Sequence, residues 1–261
     1  MPSLIILYTF PMQHISLSQS IFHIPHSSPI IPNNSFYTND QLMQSEMNLL
    51  TDWATERIYA VPGGDTVTAH FNRVFCDVER LPDTEEPMHA KGMGIYYTHT
   101  DNGELLRTEN ENHKKRIIEN LYTPHHKKLT DAVNNKLKSG ESAIIFDCHS
   151  FSSTPLKREL QQDLDRPDIC LGTDNYHTPS WLITRLTSHF KTHGFTVALN
   201  KPYIGTIVPL SYYRKEKQVS SIMVEINKKL YMNENTYQVN EDQVQKLNEI
   251  IRMLFDSSTS L

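Results

Sequence analysis

The sequence Ala143-Ile144-Ile145-Phe146-Asp147-Cys148-His149-Ser150 joins a wholly apolar run to a polar end. Such a run is typical of a central strand in a parallel sheet, where both faces are buried. Two other apolar runs lead to polar residues in the same way: Ile21–Pro25 is followed by His26, and Ser221–Ile226 carries Glu225 near its end. Ligands of α/β sheets bind at the carboxyl ends of the strands. The three runs therefore predict that His26, His149 and Glu225 meet at one edge of a sheet.

Helical and extended patterns alternate along the chain, which predicts one α/β domain with a mostly parallel or mixed central sheet flanked by helices. Helical spacing of apolar residues runs over residues 40–59, 109–138 with a break near Pro124, 179–193 and 241–255. Extended segments are predicted over residues 66–78 and 196–199, and long loops over residues 82–108 and 200–215. We expect residues 21–261 to form the domain. Residues 1–20, which include the apolar stretch Leu4–Tyr8, are expected to form an N-terminal extension or an edge strand.

Composition narrows the classes of function. The chain has 261 residues, of which 38% are hydrophobic and 21% charged, and its net charge is −5, whereas a nucleic-acid binder usually needs a basic face. No apolar stretch reaches the ~18 residues of a membrane span, and the N-terminus lacks the basic residues of a signal peptide. Three cysteines suit buried, reduced thiols better than a disulfide framework. We expect a cytoplasmic protein that contacts neither nucleic acid nor membrane; its oligomeric state is not indicated by the sequence.

Two imidazoles and one carboxylate with an open position suit a catalytic zinc ion, which lowers the pKa of a bound water to about 7. His26 and His149 are the candidate histidines, and another divalent ion would suit the same donors. Glu225 is the candidate general base, since burial at the end of an apolar strand would raise its pKa. Asp147 shares a strand face with His149 and could orient its ring, whereas Cys148 points to the opposite face and cannot pair with His149 as a nucleophile.

Each of these residues also has an ordinary structural explanation. A histidine at a strand end is more often a hydrogen-bonded loop residue than a metal ligand, and the chain has no HExxH motif. The sequence also lacks GxSxG, so a serine hydrolase is not supported. The signal for a metal centre therefore comes from the combination of strand ends and not from a single motif.

Seven short motifs, in this order, resemble those of the N-formylglutamate amidohydrolase family and extend from about residue 21 to residue 232. They are Pro25-His26-Ser27-Ser28, Thr51-Asp52-Trp53, Asn72-Arg73-Val74-Phe75-Cys76-Asp77-Val78-Glu79-Arg80, Pro124-His125-His126, Asp147-Cys148-His149-Ser150, Leu171-Gly172-Thr173 and Val224-Glu225-Ile226. The resemblance implies a fold similar to the zinc carboxypeptidases and other phosphorylase/hydrolase-like proteins. It also implies hydrolysis of N-formylglutamate, a small anionic N-acyl amino acid, to formate and glutamate, in amino-acid degradation and particularly histidine catabolism.

The resemblance also assigns roles to residues. It implies that Asp52 is the carboxylate ligand of the metal, with Glu46 on the same predicted helix as the alternative. Arg73 would grip the substrate carboxylate or the developing oxyanion, unless it forms a structural pair with Asp77, which is itself expected beside the site. The further substrate contacts that the resemblance implies are Arg80, His126, Asn200 and Gly205.

Two other functions stay open at this stage. A carboxypeptidase-like peptidase or a cell-wall amidase would use the same scaffold, although the missing signal peptide disfavours a cell-wall substrate and the long loops suggest a closed pocket. A binding protein that has lost catalysis would also keep the fold, but His26, His149 and Glu225 are all present.

Overall fold

A computed structural model of the chain describes residues 14–33, 36–81, 86 and 88–256. The predicted N-terminal strand over Leu4–Tyr8 lies outside these residues, as does part of the predicted loop over residues 82–108. The described chain forms a single α/β domain. Ile15 is fully buried in its main core, so the packed structure reaches back into the predicted N-terminal extension.

A mixed six-stranded sheet is the centre of the fold. Its strands are β1 (Ser20–Ile24), β2 (Asp65–Thr68), β3 (Ala143–Phe151), β4 (Ile169–Gly172), β5 (Val197–Leu199) and β6 (Val219–Asn227), in the spatial order β2-β1-β3-β6-β4-β5. The first four strands of that order are parallel, while β4 pairs antiparallel with β6 and parallel with β5. A small antiparallel pair, β7 (Met232–Asn233) and β8 (Gln238–Val239), follows. The predicted apolar runs are confirmed as β1, β3 and β6, each buried over nearly its whole length.

Helices cover both faces of the sheet. They are α1 (Asp40–Leu50), α2 (Thr55–Ile58), α3 (Glu111–Ile117), α4 (Thr123–Lys138), α5 (Ser180–Thr192) and α6 (Glu241–Met253). On one face, even-numbered residues of β3 such as Phe146 and Cys148 join the main core with apolar residues of α5 and α6. On the other face, Ile145 packs with Leu129 of α4 in a second, smaller core. None of the helices in the described part of the chain has both the length and the apolar character needed to cross a bilayer.

The single helix predicted over residues 40–59 is wrong. Helix α1 ends at Leu50, because Thr51 Oγ1 hydrogen-bonds to Met47 O at 2.6 Å and the Asp52 N–H donates to His26 O at 3.0 Å. Ala54 then adopts a left-handed backbone with φ 62° before α2 begins. The tertiary bond to His26 outweighs the local helical pattern and fixes residue 52 beside the end of β1.

Two other predicted elements differ in part. The helical stretch 109–138 consists of α3, a π-helical turn over Ile118–Tyr122, and α4. Pro124 lies in the first turn of α4, where its missing N–H is tolerated, and the backbone stays helical through it. The predicted break is therefore only a change from the π-helical turn to α4. The extended segment predicted over residues 66–78 is a strand only as far as Thr68. Beyond it, Asn72 organises a turn by hydrogen-bonding to Ser28 O and to the Val74 N–H.

Candidate active site

Along β1, β3 and β6, one sheet face changes from apolar to polar towards the carboxyl ends of the strands. On β3 the apolar residue Ile145 is followed on this face by Asp147 and His149. Strands β3 and β6 are in register with His149 beside Glu225, and β1 places His23 beside Asp147. Because side chains alternate along a strand, these polar groups all project to the side that α4 covers.

His26 is held from one side by a buried aspartate. Its Nε2 lies 2.9 Å from Asp77 Oδ1, and Asp77 Oδ2 also accepts hydrogen bonds from Tyr97 Oη at 2.7 Å and from Arg73 Nη2 at 3.1 Å. Since an ionised carboxylate can only accept, His26 Nε2 carries a proton. The other nitrogen, Nδ1, has no hydrogen-bond partner among the described residues. Asp77 therefore lies beside the site as predicted, and it orients His26.

His149 is held in the same way by Asp147. Its Nε2 lies 3.1 Å from Asp147 Oδ1, which is the juxtaposition that the shared strand face predicted. Its Nδ1 lies 3.3 Å from Asp52 Oδ2. Cys148 points to the other face, into the main core, and burial raises the pKa of its thiol well above the usual value. A cysteine nucleophile is therefore not favoured here.

Two carboxylates approach the histidine pair. Asp52 is buried, and its Oδ2 lies 3.7 Å from His26 Nδ1 in addition to its contact with His149. Glu79, in a turn, is 20% exposed and places Oε2 at 3.8 Å from His26 Nδ1 and 3.2 Å from His149 Nε2. His26, Glu79 and His149 form a group whose donor atoms lie close enough together to hold a metal ion. Glu46 belongs to neither group of described residues that could hold an ion, and it pairs instead with Arg158 at 2.5 Å.

The charges of this cluster favour a cation. Burial lowers the pKa of both histidines, and Arg73 lowers that of His26, but the surrounding carboxylates outweigh these effects. Asp77 and Asp52 raise the pKa of His26, while Glu79 and Asp147 raise that of His149 well above its usual value. The same carboxylates would stabilise a metal ion in place of the imidazole protons. Together with the unpartnered His26 Nδ1, these charges show that buried His, Glu and Asp groups here could hold a metal ion.

Glu225 lies beside this cluster, and its pKa is higher than that of an exposed carboxylate. Burial raises its pKa to about 8, although the charge of His149 works in the opposite direction. Its Oε2 has no hydrogen-bond partner among the described residues. A carboxyl whose pKa lies near neutral pH, with a free oxygen beside a candidate metal position, is suited to take up and release a proton.

Basic side chains border the same region. Arg73 and Arg80 lie 3.1 Å and 3.6 Å from Asp77 Oδ2, so the structural pair that was the alternative for Arg73 is present. In both guanidinium groups the buried Nε has no hydrogen-bond partner among the described residues. Lys228, which directly follows β6, is buried with Nζ 3.9 Å from Asp52 Oδ1.

Other predicted substrate contacts are engaged in backbone interactions. His126 Nε2 lies 2.8 Å from Val78 O. Asn200 hydrogen-bonds to the backbone and side chain of Thr173, both at 2.8 Å, which ties the loop after β5 to the end of β4. Gly205 has φ 97°, a left-handed conformation that favours glycine, and its carbonyl packs where a Cβ on Gly172 would lie.

The segment over residues 203–207 lies across the face that carries the site. Tyr203 O contacts Cys170 Sγ at 3.4 Å, and Cys170 is the register neighbour of Glu225. Further along, the Ile207 N–H donates to Asp147 Oδ2 at 3.0 Å. This segment therefore forms one wall of the site.

Sequence reasoning missed Glu79, His23, His125 and Lys228. Glu79 and His125 stand inside motifs that were quoted for the resemblance, but neither was given a role. His23 could have been found from the alternation of β1, since it shares a face with Ile21. The signal for Lys228 is its position three residues after Glu225.

Comparisons with known proteins identify the family and the fold. The family model for N-formylglutamate amidohydrolase matches residues 18–232. The chain is similar in fold to the crystal structure of N-formylglutamate amidohydrolase from Ralstonia eutropha JMP134, with a TM-score of 0.77, 22% identity, and coverage of 94% of this chain and 93% of that one. It is also similar to a gene product of Agrobacterium tumefaciens, with a TM-score of 0.63, 17% identity, and coverage of 92% and 90%. Among curated proteins, no sequence matches this chain significantly.

Proposed function

Because the chain belongs to the N-formylglutamate amidohydrolase family, we propose that it is a zinc-dependent amidohydrolase acting on a small anionic N-acyl amino acid. N-formylglutamate is the first substrate to test, with formate and glutamate as products. The observation that carries the proposal is the arrangement of His26 and His149. Each ring has Nε2 held by a buried aspartate, and each directs Nδ1 towards Asp52 Oδ2.

The residues that would hold zinc are His26, His149 and a carboxylate, for which Asp52 is our choice over Glu79. Asp52 is the more buried of the two, and its Oδ2 approaches Nδ1 of both rings. When bound, zinc supplies a Lewis acid that polarises the amide carbonyl and makes water a better nucleophile. Asp77 and Asp147 keep the two rings in the orientation that such a site requires.

Glu225 moves the proton in this proposal. Its free Oε2 accepts a proton from the attacking water as the new C–O bond forms at the formyl carbon. The same carboxyl then gives that proton to the amide nitrogen as the C–N bond breaks, so the amino acid leaves as an amine. The pKa of about 8 in the absence of a cation suits both transfers.

Arg73 and Arg80 are proposed to attract the anionic end of the substrate. Arg73 pairs with Asp77 through Nη2 and retains an Nε without a hydrogen-bond partner among the described residues. Arg80 faces Asp77 through Nε at 3.6 Å and hydrogen-bonds to Glu86 through Nη1, which leaves its Nη2. The remaining donors suit a carboxylate. We further propose that the protein acts in the cytoplasm in amino-acid degradation, including histidine catabolism, with neither nucleic acid nor membrane as a partner. The free, buried state of Cys76, Cys148 and Cys170 is compatible with a reducing compartment.

The first test is elemental analysis of protein purified without added metal, with formate release from N-formylglutamate assayed on the same sample. About one zinc ion per chain with chelator-sensitive release would support both the metal and the substrate. Zinc without release would redirect the search to other N-acyl amino acids or to small peptides. Failure to bind zinc even when it is offered would contradict the proposal and favour a binding protein.

A further inference from the structure

A chain of hydrogen bonds continues from Asp147 through two further histidines, of which the first, His23, also lies 3.7 Å from Glu79 Oε1. Asp147 Oδ1, which contacts His149 Nε2, also lies 2.9 Å from His23 Nδ1. The other nitrogen of His23, Nε2, lies 2.9 Å from His125 Nε2. The series His125–His23–Asp147–His149 thus joins α4, β1 and β3 through side chains alone.

These side chains are too well enclosed for water to substitute for a missing partner. His23 is fully buried, Asp147 is 1% exposed and His125 is 4% exposed. An unpaired polar group in such surroundings costs about 1–3 kcal/mol. Each side chain of the series is therefore more stable with its hydrogen-bond partner than without it. The arrangement of one ring therefore constrains the next.

The direction of each hydrogen bond follows from the carboxylate. Asp147 Oδ2 accepts from the Ile207 N–H at 3.0 Å, and Oδ1 faces one ring nitrogen of His23 and one of His149, so this carboxylate acts as an acceptor towards all three groups. His23 must then carry its proton on Nδ1, and His149 must carry one on Nε2. His149 Nε2 is then shared by Asp147 at 3.1 Å and Glu79 at 3.2 Å, and Nδ1 is the nitrogen that faces Asp52.

We propose that His23 and His125 are positioning residues for the metal site, acting through Asp147 to fix which nitrogen of His149 faces the metal. His125 holds the ring of His23, His23 donates from Nδ1 to Asp147, and Asp147 orients His149. The inference rests on the proposed metal-dependent function and extends it to two residues outside the proposed ligand set of His26, His149 and Asp52. His23 forms with Glu79 and Asp147 a second group whose donor atoms lie close enough together to hold an ion, and the inference gives His23 the positioning role instead.

Variants in which Asn or Gln replaces each histidine distinguish the positioning role from a role in packing alone. The amide of Asn can replace His Nδ1, while that of Gln can replace His Nε2. His23 is proposed to act through Nδ1 on Asp147, so His23→Asn should preserve function better than His23→Gln. His125 acts through Nε2, so the order should be reversed, with His125→Gln better than His125→Asn. A purely structural role would follow side-chain volume and would not reverse between the two positions.

The test is the affinity of the purified apo-protein for zinc, measured by competition with a chromophoric chelator, together with formate release at saturating zinc. Loss of an outer partner of a metal ligand typically weakens metal binding about 10–100-fold. We expect His23→Leu to lie in this range, His23→Asn to recover most of the loss, and His125→Leu to show a smaller loss that His125→Gln recovers. Circular dichroism of each variant confirms that it is folded.

Three results would overturn the inference. Folded His23→Leu that binds zinc as tightly as the wild type would remove His23 from the series. The same order of Asn and Gln variants at both positions would show that volume alone matters. If the wild-type protein binds no zinc, the proposed function fails by itself. The inference is then decided by the imidazole ¹⁵N spectrum of the apo-protein, where absence of a proton on His23 Nδ1 would contradict it.

Discussion

At the scale of single residues, the site is built from paired groups in which a buried acid fixes one nitrogen of a histidine. Asp77 does this for His26 and Asp147 for His149. Glu225 differs, because no such partner holds its Oε2 among the described residues. This contrast separates the carboxylates that orient other groups from the one that is free to exchange a proton.

The variant Glu225→Gln tests whether Glu225 is the group that exchanges a proton. The amide keeps the size of the side chain but cannot accept a proton, so we expect kcat for formate release to fall at least about 10²-fold. Zinc content should stay at the wild-type value, since Glu225 is not among the proposed ligands. Glu249→Gln, on the exposed side of α6, is the matched control and should keep full activity. Undiminished turnover in Glu225→Gln would remove this residue from the proposed mechanism.

Single substitutions also test whether Asp52 or Glu79 is the third metal ligand. Asp52 is buried and its Oδ2 lies near Nδ1 of both histidines, whereas Glu79 is one-fifth exposed in a turn and approaches His149 through Nε2. We therefore expect Asp52→Asn to lose zinc at concentrations that saturate the wild type, and Glu79→Gln to bind within about tenfold of it. Chelator competition on the two purified variants measures this, and the opposite order would make Glu79 the ligand.

At the scale of elements, the sequence predicted β1, β3, β5, β6 and most of β2, together with most helices. It did not predict β4, β7 or β8, or the residue at which α1 ends. The apolar runs of β1, β3 and β6 report burial directly, and so the meeting of His26, His149 and Glu225 could be anticipated. The end of α1 could not, because the bond from the Asp52 N–H to His26 O joins residues far apart in sequence. Glu79 was missed for a related reason: it reaches the histidines from a turn, where no periodic pattern indicates direction.

The packing of α5 on α6 gives a prediction about pH and stability. His189 of α5 donates from Nε2 to Ile250 O at 2.8 Å, and burial lowers its pKa from 6.5 to about 4. As pH falls between these values, the unfolded chain binds a proton that the folded protein does not, so folding stability decreases. The loss at pH 4 reaches about 3 kcal/mol in the wild type.

His189→Gln can keep the hydrogen bond to Ile250 but does not titrate. Urea unfolding at pH 7.5, 5.5 and 4.5 measures the free energy of unfolding of both proteins. As pH falls, we expect this free energy to decrease more for the wild type than for the variant. All other titrating groups are common to both proteins, so their contributions cancel in the difference. Parallel pH profiles for the two proteins would contradict the assigned cause.

At the scale of the whole molecule, the site joins parts of the chain that are distant in sequence. The strands β1, β3 and β6 supply His26, His149 and Glu225 at or near their ends, and the segments around Asp52 and Asp77 close the cluster. The carboxylates Asp52, Asp77 and Asp147 are buried in one region, so the apo-protein must bury several negative charges together, offset by Arg73, Lys228 and the protonated forms of the two histidines. A bound cation would reduce that repulsion in the folded state alone.

Zinc should therefore raise the thermal stability of the whole domain and not only complete the site. At a free concentration 100 times Kd, binding contributes about 2.7 kcal/mol, which corresponds to a rise in Tm of about 5–10 °C for a chain of this size. Because the pKa values of His26 and His149 are raised, zinc must displace protons, and the rise should be larger at pH 8 than at pH 6. Calorimetry with zinc and with chelator measures it, and His149→Ala should show no rise. An equal rise in that variant would mean that zinc stabilises the protein from another position.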